Sequence, residues 1–191
     1  MISARPLSPS AACLSQVRQL YETAFPVEEQ IPWPDLMELM RLMPLDFRTY
    51  HMPDGTFAGF TIIYRRACKT GGSLSETKAY DWFWYFAVVP HLRGRGIGQE
   101  ILSRLIAEYR EKSLILDIES PRQQCSNAEQ RQRRCAFYLR NGFRDTGVER
   151  SFDGIDYTIL MRGNGDFTMR DYYAIISELR SLWKKVTPKN D

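Results

Sequence analysis

Residues 80–109, YDWFWYFAVVPHLRGRGIGQEILSRLIAEY, place an apolar run, a glycine-rich turn and an amphipathic segment in immediate succession. A strand sends alternate side chains to opposite faces, and here both sets are apolar. Strict alternation puts Tyr80, Trp82, Trp84, Phe86 and Val88 on one face and Phe83, Tyr85, Ala87 and Val89 on the other. A strand of this kind needs cover on both sides, so the run predicts a central strand in a sheet flanked by helices. Pro90 lacks an amide donor and ends regular pairing. From Ile97 the apolar period lengthens to that of a helix, with Ile97, Ile101, Leu102, Leu105, Ile106 and Tyr109 on one stripe.

Between strand and helix lies Arg93-Gly94-Arg95-Gly96-Ile97-Gly98. Glycine permits a sharp turn and lets a ligand approach the main chain closely. The first amide groups of the helix lack intrahelical partners and sit at the positive end of its dipole. With two arginines beside them, these groups suit a phosphate or pyrophosphate. Taken alone, the glycines are equally compatible with a tight turn carrying solvated arginines. No G-x-x-x-x-G-K-[ST] occurs, and glycines two apart do not meet the G-x-G-x-x-G spacing of dinucleotide-binding folds.

The segment does match R-x-x-G-x-G, through Arg93, Gly96 and Gly98, directly after a strand reading FAVVP. A second stretch, Ala136-Phe137-Tyr138 followed by Asn141-Gly142-Phe143, looks like A-x-[LF]-Y-x-x-x-G-F, agreeing over Phe137-Tyr138 and Gly142-Phe143. In this order the two motifs resemble the GNAT family of N-acetyltransferases, specifically over residues 80–143. The resemblance implies an α/β (α+β) fold: a mixed, mostly antiparallel sheet with helices on both faces. It also implies acetyl-CoA as the acyl donor. Phe86, Ala87 and Val88 would then offer main-chain groups to the thioester arm, and Arg93, Gly94, Arg95, Gly96, Ile97 and Gly98 would hold the pyrophosphate.

Length and composition set the frame for the rest. A chain of 191 residues allows one sizeable domain, here residues 1–165, followed by a helical extension over 166–191. The formal charge of +3 does not announce nucleic acid as a partner. Cys13, Cys68, Cys125 and Cys135 form no C-x-x-C pair, and with two histidines no metal site is expected. Unpatterned cysteines, no leader-like start and no long apolar span make a cytoplasmic protein away from membranes the default expectation.

Along the chain, a short first strand precedes a helix capped by Ser8 or Ser10 and running to about Ala24. Pro34 and Asp35 open a second helix. Phe47–Met52 and Phe57–Arg65 read as a hairpin around PDGT, and Lys69–Lys78 as a polar loop. After the motif helix come a strand over Leu114–Glu119, a helix opened by the capping box Ser126-x-x-Glu129 with Gly142 just past its end, and a hairpin around FDG. The C-terminal helix carries Tyr172, Ile175, Ile176, Leu179, Leu182 and Trp183 at helical spacing, which suits packing on the domain or a homodimer contact.

The resemblance assigns further roles. Tyr138 matches the family tyrosine that protonates the departing thiolate, and a phenol is protonated at neutral pH. Some family members carry a base in an L-E-V strand, which corresponds here to Leu116-Asp117-Ile118, with Glu119 on the same face; Asp117 and Glu119 are the base candidates. The loop between the first two helices offers Glu28, Glu29, Ile31 and Trp33 as acceptor contacts. This chain departs from the pattern where an asparagine often precedes the tyrosine by seven residues, since Arg131 stands there, and Arg134 replaces a small residue. The expected activity is acetyl transfer to a primary amine of a small molecule or peptide in a ternary complex. A non-catalytic acyl-CoA-binding module is the alternative.

Overall fold

The computed structural model describes residues 1–8, 10–66 and 80–186, so the polar loop expected over 69–78 lies outside the described residues. Strand β1 (Ser3–Pro6) leads to helices α1 (Leu14–Ala24) and α2 (Trp33–Leu42), linked through a 3-10 turn at Val27–Glu29. The hairpin β2 (Leu45–His51) and β3 (Phe57–Tyr64) comes before the central strand β4 (Tyr80–Val88). Helix α3 (Ile97–Glu108), strand β5 (Ser113–Glu119) and helix α4 (Ala128–Arg140) follow. A hairpin of β6 (Arg144–Phe152) and β7 (Ile155–Arg162) precedes helix α5 (Met169–Val186). The strands form one sheet in the order β1-β2-β3-β4-β5-β7-β6. All neighbours are antiparallel except β4 and β5. This is the mixed, mostly antiparallel sheet that the motifs imply. Among the described residues, no helix is long and apolar enough to cross a membrane.

Helices cover both faces, as the doubly apolar central strand requires. On one side Val17, Tyr21, Leu36 and Leu39 of α1 and α2 pack with Phe60, Tyr85, Ile115 and Ile159. On the other, Leu102 and Leu105 of α3 and Tyr138 of α4 pack on Phe83, Leu114, Leu116 and Ile118. Helix α5 joins the first side. Its Tyr172 and Ile175 are buried in that core, and Arg66 pairs with Glu178 at 2.8 Å. Burying a side chain such as Ile175 stabilises by about 1.5–3 kcal/mol, so α5 is held as part of the domain.

Two irregularities in β4 position the site. First, β4 pairs with β5 only at Tyr80–Ser113, Asp81–Leu114 and Trp82–Ile115. Beyond Trp82 the strands part, because β4 stays with β3 as far as Val88 while β5 stays with β7 as far as Glu119. Second, the register against β3 steps from Ile62–Tyr85 to Ile63–Phe83, which makes Trp84 an extra residue in a β-bulge. Strict alternation therefore fails. Tyr80, Trp82, Tyr85 and Ala87 face α1 and α5, whereas Phe83, Phe86 and Val88 face α3 and α4. Phe86 and Val88 thus lie opposite the face that alternation assigns them.

Two helix starts also differ from expectation. Helix α1 begins at Leu14, because the residues before it form turns, with Ala11 N–H donating to the Ser8 carbonyl and Leu14 N–H to the Ala11 carbonyl. No capping box forms at Ser126. Helix α4 starts after Asn127, whose side chain instead accepts from the Cys125 thiol at 3.0 Å. A reciprocal cap appears at α5, where Thr168 N–H donates to Asp171 at 2.8 Å and Asp171 N–H to the Thr168 hydroxyl at 3.4 Å.

Candidate active site

The parting of β4 and β5 opens a cavity of about 650 Å³ that runs from the glycine turn to α5. At the turn, Gly94 and Gly96 have φ of 72° and 79°, a conformation that favours glycine. A Cβ at either position would meet no atom within 4 Å, so the space over the turn is open. At Gly98 a Cβ would touch the Phe86 and Val88 side chains at 3.7 Å. The first hydrogen bond of α3 runs from Glu100 N–H to the Gly96 carbonyl at 3.0 Å. The amides of Ile97, Gly98 and Gln99 therefore precede the helical ladder. Arg93 donates to the Val88 carbonyl at 2.9 Å, which ties the turn to the end of β4. Arg93 lines the cavity with Phe86, Ala87 and Val88, whereas Arg95 is exposed. The Ile97 side chain turns into the core, so only its main chain faces the turn. An open, positively charged cradle next to a free strand edge fits the diphosphate and pantetheine arm of coenzyme A.

The other end of the cavity gathers carboxylates, two of them paired with arginines. Glu28, Glu29, Asp117 and Glu119 line it, together with Arg150 and Tyr157. Asp117 accepts from Arg150 at 2.6 Å and from the Trp82 indole at 3.3 Å. Glu119 is buried and pairs with buried Arg131 at 2.7 Å, with Arg134 at 3.7 Å. Arg131 thus fills the position of the family asparagine with a cation that neutralises Glu119. Glu29 differs from both. Tyr157 donates to its carboxylate at 2.9 Å, and Tyr85 donates to its carbonyl at 2.6 Å. No ion pair reaches Glu29 among the described residues. Burial pushes its carboxyl above the usual range, against the opposing pull of the Tyr157 hydrogen bond.

Tyr138 lies between the two ends, at the cavity wall. Its ring packs edge-on against Phe83 and Phe143. Burial pushes its phenol up to about 12, so the O–H keeps its proton at neutral pH. Of the loop residues singled out in the sequence, Glu28, Glu29 and Ile31 line the cavity. Trp33 does not; it is the first residue of α2 and packs 5.9 Å from Tyr21.

Arg150, Tyr157 and the α5 residues Tyr172, Ile176 and Leu179 also line the cavity; the sequence marks the last three only as a helical stripe and the first two not at all. One signal was available for the first two. Asp153 and Gly154 both have positive φ and form the two-residue turn of the β6–β7 hairpin. Counting back from that turn sets Arg150 opposite Tyr157, the register observed.

Residues 53–145 match the family model described as Acetyltransferase (GNAT) domain. No curated protein matches the chain in sequence. Solved structures with a similar fold include Arabidopsis thaliana NAA60 in complex with acetyl-CoA, at 16% identity and a TM-score of 0.62, covering 86% of this chain and 100% of that one. A histone acetyltransferase HPA2 and related acetyltransferase from Corynebacterium glutamicum aligns at 17% identity and a TM-score of 0.61, over 88% of this chain and 99% of that one. A spermidine N-acetyltransferase chimera from Vibrio cholerae and hSSAT aligns at 13% identity and a TM-score of 0.59, over 84% and 94%. The match spans the parted strands and their glycine turn, so over this stretch the chain is similar to a GNAT acetyltransferase domain.

Proposed function

We propose that this chain acetylates a primary amine of a small molecule or peptide by direct attack while donor and acceptor are both bound. The observation that carries the reading is the carboxylate end of the cavity, where Glu29, Asp117 and Glu119 converge beside the free edge of β4. Glu28 and Glu29, which no ion pair reaches among the described residues, draw an ammonium towards the parted strands. The similar fold of a spermidine N-acetyltransferase fits the same chemistry.

Acetyl-CoA, when bound, supplies the thioester that the amine attacks. The main-chain groups from Arg93 to Gly98 would hold its diphosphate, and amides of β4 near Phe86–Val88 that do not pair with β5 would orient and polarise the carbonyl. Asp117 and Glu119, the base candidates on β5, are each tied to an arginine, so they shape the field around the ammonium. Glu29 carries no such partner, and its raised affinity for protons suits it to accept the one the amine must lose. Tyr138, protonated at neutral pH, donates its O–H towards the departing sulfur. No cysteine lines the cavity among the described residues, and burial pushes the Cys135 thiol up, which favours direct attack over a covalent intermediate.

The test is acetyl-CoA-dependent thiol release with a panel of amines, with the product mass read in parallel. An amide product with stoichiometric thiol supports the reading. Acetyl-CoA binding without transfer to any amine would favour the non-catalytic module, which needs the glycine turn but not the carboxylate end.

A further inference from the structure

A second cavity, of about 250 Å³, lies between α2 and α5. Its far wall is Leu39, Met43 and Trp183. Trp84, Ile176, Leu179 and Arg180 line both this cavity and the carboxylate end of the main one, so the two are contiguous. We propose that the second cavity is an acceptor subsite that receives an aromatic or branched aliphatic group carried by the amine. The inference rests on the amine acetyltransferase reading and narrows its substrate to monoamines with an apolar group.

Three features support this occupant. Trp84 stands between the cavities because the bulge in β4 releases it from strict alternation; its ring is stacked 5.5 Å from Tyr85 on the acceptor side. Ile176, Leu179 and Trp183 recur at helical spacing along one face of α5, which makes a continuous apolar wall. The volume exceeds the roughly 150 Å³ that holds a benzene ring in an apolar cavity. A second ammonium would suit this space poorly. It would lose water with no acceptor to replace it, and it would approach the exposed Arg180 at the rim. The geometry therefore selects an apolar substituent and disfavours polyamines.

Calorimetric titration of the CoA-loaded protein with phenethylamine and with ethylamine isolates the ring. The expected result is at least about tenfold tighter binding of phenethylamine, the order of discrimination a hydrophobic pocket supplies. Met43→Trp fills the second cavity alone and should erase the preference. Trp183→Ala, at a partly exposed position packed against the core, should reduce it by opening the far wall, and thermal melting checks that both variants are folded. Equal affinities, no binding of either amine, or a preference that survives both folded variants would each overturn the subsite. Acetylation of both amines with equal kcat/KM would remove the subsite and keep the transferase. A ring preference in binding with no acetyl transfer would do the reverse.

Discussion

The two ends of the main cavity are made of different material. The cofactor end is built from main chain: a glycine turn, the start of α3 and the open edge of β4. The acceptor end is built from side chains brought together from the α1–α2 turn, β4, β5, the β6–β7 hairpin and α5. A main-chain cradle accepts the same diphosphate in any chain that can make the turn, and it tolerates change in most neighbouring side chains. A side-chain pocket is remade by each substitution. On the proposed function, the difference lets binding of the common donor and choice of acceptor reside in one cavity without constraining each other.

Variants at each end should therefore affect separate measurements. Glu29→Gln is expected to lower kcat by about a hundred- to ten-thousandfold, the range for a lost general base, with acetyl-CoA affinity unchanged in calorimetry. Near-normal turnover would remove Glu29 from proton transfer. Gly96→Glu places a carboxylate in the open space over the turn and should weaken acetyl-CoA about a hundredfold or more through like-charge repulsion. Gly96→Ala is its control, since the positive φ alone costs about 1–2 kcal/mol of stability. If the folded glutamate variant binds normally, the cradle is misplaced. Tyr138→Phe should slow kcat by about tenfold to a hundredfold, less than a full oxyanion-type donor, with little change in donor affinity; full activity would exclude the phenol from thiolate protonation.

The smallest expected effect is a shift in pH dependence. Burial holds the Glu29 carboxyl above the 4.5 of an unperturbed glutamate. The deprotonated form is the active one, so kcat/KM should fall as pH drops through that raised midpoint. The Tyr157 hydrogen bond pulls the midpoint down. Removing it in Tyr157→Phe should move the acid limb to higher pH. An unmoved limb would mean that the carboxylate end is not tuned by its tyrosines, and the contrast between the two ends would lose its sharpest feature.

The main-chain end was legible in the sequence, and the side-chain end largely was not. Arg93, Gly96 and Gly98 carry a fixed spacing because a turn has few solutions, and the FDG hairpin announces itself for the same reason. The phase of β4 was hidden. Every residue from Trp82 to Val89 is apolar, so no polar position marks where alternation slips, and the extra residue at Trp84 leaves no trace in composition. Trp33 reads as a loop aromatic, but its contact with Tyr21 comes from the path of α1 and α2. Asp117 and Glu119 share a face as their spacing requires, yet their partners Arg150 and Arg131 come from a hairpin and a helix whose approach is a tertiary matter. The capping signature at Ser126 lost to a local competitor, the Cys125–Asn127 hydrogen bond.

The bulge at Trp84 has one more consequence. It divides β4 into two half-strands whose facing rules are independent. Trp82 belongs to the half paired with β5, and Phe86 and Val88 to the half beside the glycine turn. In a regular strand, a one-residue slip would invert every side chain together. Here a slip can be absorbed at the joint, so one half can be rephased while the other keeps its setting. A single strand thereby offers selection two separate dials, one for the donor and one for the acceptor.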